Sequence, residues 1–225
     1  MERDTDALMA RTGNRPVPTG RVSRGESYAL GTASLVVGLA ELLICVNATS
    51  AFWGLATWAL YVLIYTPLKR RTSWNTLVGA IPGASPILIG WTAMAQPLDL
   101  RAWSLFFIVF LWQFRHFMSI AWKYRHEYGA ARLNMITVVD GTGRRAGIQA
   151  VIGALALLPV SLIPALMSPP SAAYAVVAFL LGIGQLGLAI RFFVRRDLIS
   201  ARLLLRASLV YLPVVMLGLA TIPLI

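Results

Sequence analysis

Glu2 and Asp6 stand four residues apart at the head of a chain that has nine acidic residues among 225. If residues 1–12 are helical, the two carboxylates share one face, with Arg3 and Arg11 close by. Two carboxylates do not hold a divalent cation alone. They can share Mg²⁺ with the oxygens of a phosphate, because Mg²⁺ keeps several waters and takes one or two protein carboxylates. Arg15, in the turn-prone "GNRPVP", can then grip the phosphate as a planar two-pronged donor. The plain alternative is a solvated, charged segment, and spacing alone leaves both open.

Three other stretches carry candidate chemistry. "WKYRHEYGAARLNMITVVDGTGRR" offers Lys123, Arg125, His126, Glu127, Tyr128, Arg132 and Asp140. This is a mixed-charge group suited to a diphosphate and its metal, or a basic loop on the inner face of a membrane; His126 reads as a loop histidine. In "YTPLKRRTSWNTLVGAIPGASPILIGW", Lys69, Arg70 and Arg71 are topology determinants or contacts to anionic lipid. Gly79, Pro82, Gly83 and Pro86 then interrupt an apolar run. A helix broken inside a bilayer is tolerated where protein or a water-filled cavity satisfies its backbone, and a cavity is expected here. In "WQFRHFMSIAW", Arg115 and His116 fall late in an apolar run. Arg115 is expected to reach out to the interface. His116, between Trp112 and Phe117, is expected to be functional, because ionisable groups are expensive at membrane depth.

The elements that must position these residues are membrane helices. Hydrophobic residues make up 58% of the chain and charged ones 13%, where a soluble domain carries about a quarter charged. Seven apolar runs, 28–46, 51–67, 75–95, 102–122, 148–168, 172–192 and 207–225, are each long enough to cross a hydrocarbon core of roughly 30 Å. They are continuous rather than alternating, so the fold class is all-α, a polytopic helix bundle and not a barrel.

Charge placement sets the orientation. Of 20 Lys and Arg, Arg101 alone falls between runs on the side opposite the others, so segments 1–27, 68–74, 123–147 and 193–206 are expected in the cytoplasm. The outer turns "NATS", "QPLDLR" and "PPS" are short. The net charge of +11 is therefore a topology signal, and nucleic acid is not expected as a partner. Cys45 is the single cysteine, which excludes an intramolecular disulfide and a cysteine-based metal site. The first 27 residues lack the apolar core of a secretory signal, so the helices themselves are expected to drive insertion. Segments 1–27 and 123–147 are alike only in mixing acids with arginines, which leaves an internal repeat open. No linker separates soluble domains, and residues 1–225 are expected to form one transmembrane domain.

Read in order, "MARTGNRPVPTGRVS", "YTPLKRRTSWNTLVGAIPGASPILIGW", "WQFRHF", "EYGAARLNMITVVDGTGRR" and "ARLLLRASLVYLP" resemble the UbiA superfamily of intramembrane prenyltransferases, and most closely its branch that farnesylates heme b. The resemblance runs from Glu2 to Pro213; "TPLKRRT…N…VGAIPGA" is its specific part. It implies a nine-helix bundle, of which this chain lacks the first helix and most of the second. That would explain why the acids look terminal: Glu2 and Asp6 match the two acids of the family's first motif, with Glu in place of the first Asp. In the second motif "HEY" keeps Glu127 and Tyr128 but has His126 where an acid is expected, which puts a second Mg²⁺ in doubt. "WQFRHF" carries Arg115 where a proline is usual.

The resemblance implies transfer of a farnesyl group from farnesyl diphosphate to a vinyl group of heme b, with water addition, giving heme O. Asp6, Glu127 and Lys69 would be catalytic, and Glu2, Asp6 and Glu127 would ligate Mg²⁺. Arg11, Arg15, Arg70, Arg71, Asn75 and Tyr128 would bind substrate, with His116 on the heme as an axial ligand or a propionate partner. Location in the inner (plasma) membrane, contact with membrane lipid, and partners among heme-pathway or cytochrome oxidase assembly proteins are implied as well. Two other readings stand beside it. One is a UbiA-type enzyme acting on an aromatic quinone precursor, against which "TPLKRRT" and "WQF.HF" count. The other is a non-catalytic heme-handling or oxidase-assembly membrane protein.

Overall fold

The computed structural model describes residues 2–167 and 171–220. The seven apolar runs become seven helices long enough to cross a membrane: α2 (Arg24–Val46), α3 (Ala48–Leu68), α4 (Asn75–Ala93), α5 (Leu100–Lys123), α8 (Arg144–Leu166), α9 (Ala172–Arg195) and α10 (Leu198–Ala220). Short helices α1 (Arg3–Asp6), α6 (Arg125–Ala130) and α7 (Ile136–Val139) lie in the polar segments. No strand occurs among the described residues. The expected turn at Pro169–Pro170 and the stretch 221–225 of the last expected run lie outside the described residues, as does Ser168.

The chain packs as two compact units. The first joins the residues up to Pro97 with Tyr124–Val139, and the second joins Leu98–Lys123 with the chain from Asp140 onward. In the first unit, α2 starts on a reciprocal cap. The Ser23 hydroxyl accepts from the Glu26 N–H and the Glu26 carboxylate accepts from the Ser23 N–H. Asn47 is extended and ends α2; its side chain caps α3 by accepting from Ser50 N–H and donates to the Thr92 carbonyl at 2.7 Å, tying this corner to the end of α4. The last turns of α3 widen to an i→i+5 pattern, where the Thr66 hydroxyl donates to the Tyr61 carbonyl and Pro67 has no N–H to give.

Helix α4 runs through Pro82 and breaks only around Ser85 and Pro86. Gly79, Ala80, Pro82, Ala84 and Leu88 are buried by protein packing, while Gly83 and Pro86 are exposed. Gly79 is required: a Cβ there would lie 2.5 Å from the Tyr65 ring of α3.

In the second unit, α5, α8, α9 and α10 bury Ile108, Leu157, Tyr174, Tyr211 and Val215 between them. Gly147 lies against Phe193 and Gly153 against Phe114, the close approach that small residues permit between membrane helices. The Trp112 indole donates to the Ser208 carbonyl at 2.7 Å, joining α5 to α10.

One boundary is corrected. The last span begins at Leu198 and not at Ala207, which shrinks the expected inner loop 193–206 to a turn at Arg196 and Asp197. Asp197 accepts from the Ser200 N–H at 2.7 Å and so caps α10. Arg202 and Arg206 mimic a polar loop in the sequence, but they occupy the exposed face of a helix.

Candidate functional site

The polar segments of the first unit assemble around residue 69. The N-terminal segment is not helical over 1–12: α1 stops at Asp6, and the Met9 carbonyl accepts from the Thr12 and Gly13 N–H groups to close a turn. Pro16 and Pro18 prevent a helix from resuming. The reason is tertiary. Met9 is buried against Ala131 and Leu133, with Tyr128 and Met135 beside them, which folds this segment onto the stretch around α6.

Glu2 and Asp6 still lie one turn apart, the Asp6 N–H donating to the Glu2 carbonyl at 2.8 Å. Their carboxylates take different cations. Lys69 Nζ donates to Glu2 Oε1 at 3.0 Å and Arg15 Nη1 to Asp6 Oδ2 at 3.3 Å. Glu127, half-buried on α6, accepts from the Arg11 N–H at 3.4 Å, and the Arg11 guanidinium lies 5.0 Å over the Tyr124 ring. Lys69 Nζ sits 4.5 Å over the Tyr65 ring, the ring that Gly79 makes room for. Burial disfavours the Lys69 ammonium, but Tyr65 and Glu2 outweigh it and hold its pKa above the ordinary lysine value. Burial also pushes the Tyr128 phenol up.

Asn75 is fully buried and spends its side-chain amide on two carbonyls, Thr72 at 2.7 Å and Asn134 at 3.1 Å. Asn134 completes the clamp, its N–H donating to the Lys69 carbonyl and its amide to the Arg70 carbonyl. Sequence reasoning missed Asn134. The available signal was an amide just after the "GAAR" turn, where Arg132 has a positive φ of 54°. Arg70 and Arg71 are exposed and form no ion pair among the described residues. His126 is exposed, on the first turn of α6 rather than in a loop. Asp140 is a turn residue: the Thr142 hydroxyl and the Arg145 N–H hold its carboxyl below the usual range.

Among the described residues, no three His, Cys, Asp or Glu side chains converge on a common ion position. Glu2, Asp6 and Glu127 each keep one carboxylate oxygen with no hydrogen bond among the described residues. These hard oxygen donors fit Mg²⁺ shared with a phosphate and do not form an all-protein cage.

In the second unit, His116 stacks on Trp112 at 4.5 Å between ring centroids, with Phe117 at 5.9 Å. Its Nδ1 lies 2.9 Å from Ser208 Oγ. That hydroxyl also lies 2.7 Å from the Leu205 carbonyl; when it gives its one hydrogen there, Nδ1 donates to it and Nε2 carries the lone pair. Arg115 corrects an expectation, since it does not reach the interface. It is fully buried, its Nε donating to Gln185 Oε1 at 2.9 Å and its guanidinium 4.8 Å over the Tyr211 ring. Helix α5 continues two turns past it to Lys123, about 12 Å at 1.5 Å per residue, and places it in the bundle.

Fold and site together define a multi-pass helical membrane protein that gathers paired acids and bases in its polar segments. The UbiA prenyltransferase family matches residues 1–221, across both units, and the chain belongs to that family. It is 47% identical over 214 residues to the protoheme IX farnesyltransferase of Solibacter usitatus, a match covering 95% of this chain and 73% of the relative. Protoheme IX farnesyltransferases of Opitutus terrae and Rhodopirellula baltica are 40% and 41% identical, covering 96% and 94% of this chain and 74% and 77% of the relatives. No solved structure matches the chain.

Proposed function

We propose that this chain is a prenyltransferase that moves the farnesyl group of farnesyl diphosphate onto a vinyl group of heme b, the activity named in its relatives. The observation that carries the reading is the pairing around the N-terminal acids, Glu2 with Lys69 and Asp6 with Arg15, each carboxylate retaining an oxygen with no hydrogen bond among the described residues. Glu2, Asp6 and Glu127 would hold Mg²⁺ together with the diphosphate, and the ion supplies positive charge where the leaving oxygens become negative.

Lys69, protonated throughout the neutral range, and Arg15 bind the diphosphate oxygens directly and stabilise the charge that builds as the allylic C–O bond breaks. Arg11, Arg70 and Arg71 add to the positive field that draws the anion in. Tyr128 borders the site, and Asn75 holds the 69–72 loop in place through Asn134. As the diphosphate leaves with the bonding pair, the heme vinyl group attacks the allylic cation. Water adds to the resulting benzylic-type cation and loses a proton, giving the hydroxyethylfarnesyl group of heme O. In the tautomer whose Nδ1 donates to Ser208, His116 presents an Nε2 lone pair, which suits the heme iron better than a propionate, since a lone pair faces a metal well and an anion poorly. The motif segments face the cytoplasm and the host membrane is the plasma membrane.

The test is expression in a host that lacks its own heme O-forming enzyme, followed by extraction of pigments and chromatographic separation of heme B from heme O. Heme O from the chain, lost in Asp6→Ala and Glu127→Ala at equal protein level, is the expected result. Heme B alone from the unaltered chain, or undiminished heme O from both variants, would overturn the reading.

A further inference from the structure

Arg24, Ser27 and Tyr28 recur at i, i+3 and i+4 and so share one face of the first turns of α2. With Arg3, Asp4 and Val17 they line a cavity of about 150 Å³. At about 30 Å³ per water, it has room for a phosphate group and its ordered water. The lining brings two guanidiniums and two hydroxyls against one carboxylate. That carboxylate, Asp4, accepts from Arg24 Nη2 at 2.9 Å, while the Arg3 side chain forms no ion pair among the described residues. One positive charge is left over, the complement of a phosphodiester.

The position of the cavity identifies the source. Arg24 is the first residue of a helix long and apolar enough to span a membrane, which puts the cavity at headgroup depth, and none of that helix is buried among the described residues. Tyr28, half exposed, occupies the depth where aromatic side chains mark the interface. Leu30, Val36, Val37 and Ile44 continue down the exposed helix and offer acyl chains a surface. We propose that this cavity binds the phosphate headgroup of an anionic phospholipid, whose chains lie along α2. None of its residues belongs to the diphosphate site, and the inference rests on the membrane placement of α2, not on prenyl transfer.

The test is native mass spectrometry of the full chain, released from micelles containing equal phosphatidylglycerol and phosphatidylcholine. The unaltered chain is expected to retain one phosphatidylglycerol in preference to phosphatidylcholine. Arg3→Gln with Arg24→Gln should lower that retention at least tenfold, and Tyr28→Phe about threefold. If the double variant melts early, Arg3→Gln alone decides, since that side chain forms no ion pair among the described residues. Equal retention of the two lipids, or undiminished phosphatidylglycerol in Arg3→Gln, overturns the proposal. Release of bound phosphatidylglycerol by millimolar inorganic phosphate would assign the cavity to a soluble phosphate and overturn the lipid source.

Discussion

Arg15 and Arg115 are the same side chain in opposite surroundings. Arg15 is 58% exposed and meets the Asp6 carboxylate at 3.3 Å. Arg115 is 0% exposed and meets only a neutral amide, Gln185, and a tyrosine face, leaving Nη1 and Nη2 without a hydrogen bond among the described residues. The first arrangement contributes little to stability, because water already solvates the guanidinium and the contact is long. It leaves the guanidinium available to an arriving anion. The second removes a cation from water without a counter-ion, so the bundle must tolerate an electrostatic cost in order to hold it. The polar segments of the first unit keep Arg15 ready for ligand, while the second unit commits one cation, Arg115, to the interior.

The comparison can be broken at several points. The largest effect is expected at Lys69, which combines the two situations: a nearly buried cation that also faces a carboxylate. Lys69→Met should lower the rate of heme O formation by about 10²–10³, the usual loss when one donor to developing charge is removed. Steady-state assays with farnesyl diphosphate and heme b check this. Next is the interior cation. Gln185→Leu removes its hydrogen-bond partner and should cost about 3 kcal/mol, whereas Arg115→Met should leave stability unchanged or raise it, both read as melting shifts in detergent.

Gly79→Ala forces a Cβ into the Tyr65 ring and should cost about 1–3 kcal/mol while also slowing turnover, because Tyr65 carries Lys69. At the exposed end, Arg15→Ala should change the melting point by the equivalent of less than about 1 kcal/mol, and less still in high salt. The smallest effect is in pH. The folded Lys69 pKa lies above its unfolded value, so its contribution is complete below about 10.4 and is lost as pH rises through the folded pKa. Melting curves of the unaltered chain should show an alkaline decline that Lys69→Met lacks.

The membrane helices were legible because their signal is local. A run of apolar residues of sufficient length must become a helix in lipid, whatever surrounds it. The boundary at Leu198 was not, because Arg202 and Arg206 look like loop residues until Asp197 is seen capping the helix. Glu2, Asp6, Lys69 and Glu127 stood out by residue type, and the structure gathers all four in one unit. The partners of each could not be read from spacing. Gly13 and Pro16 forbid a helix from running on past residue 12, but the stop at Asp6 follows from the burial of Met9, which spacing does not show. Asn134 was missed because its role, holding the Lys69 and Arg70 carbonyls across 64 residues of chain, leaves no periodic trace.

Composition, run length and charge placement thus determined by themselves that this is an all-helical membrane protein, and where most of its helices lie, since each of those properties is fixed by short stretches of chain in a given solvent. Tertiary structure decided which acid meets which base, that Arg115 turns inward, and that Ser208 meets the ring of His116. Those outcomes depend on distances between residues far apart along the chain, set by how the helices pack.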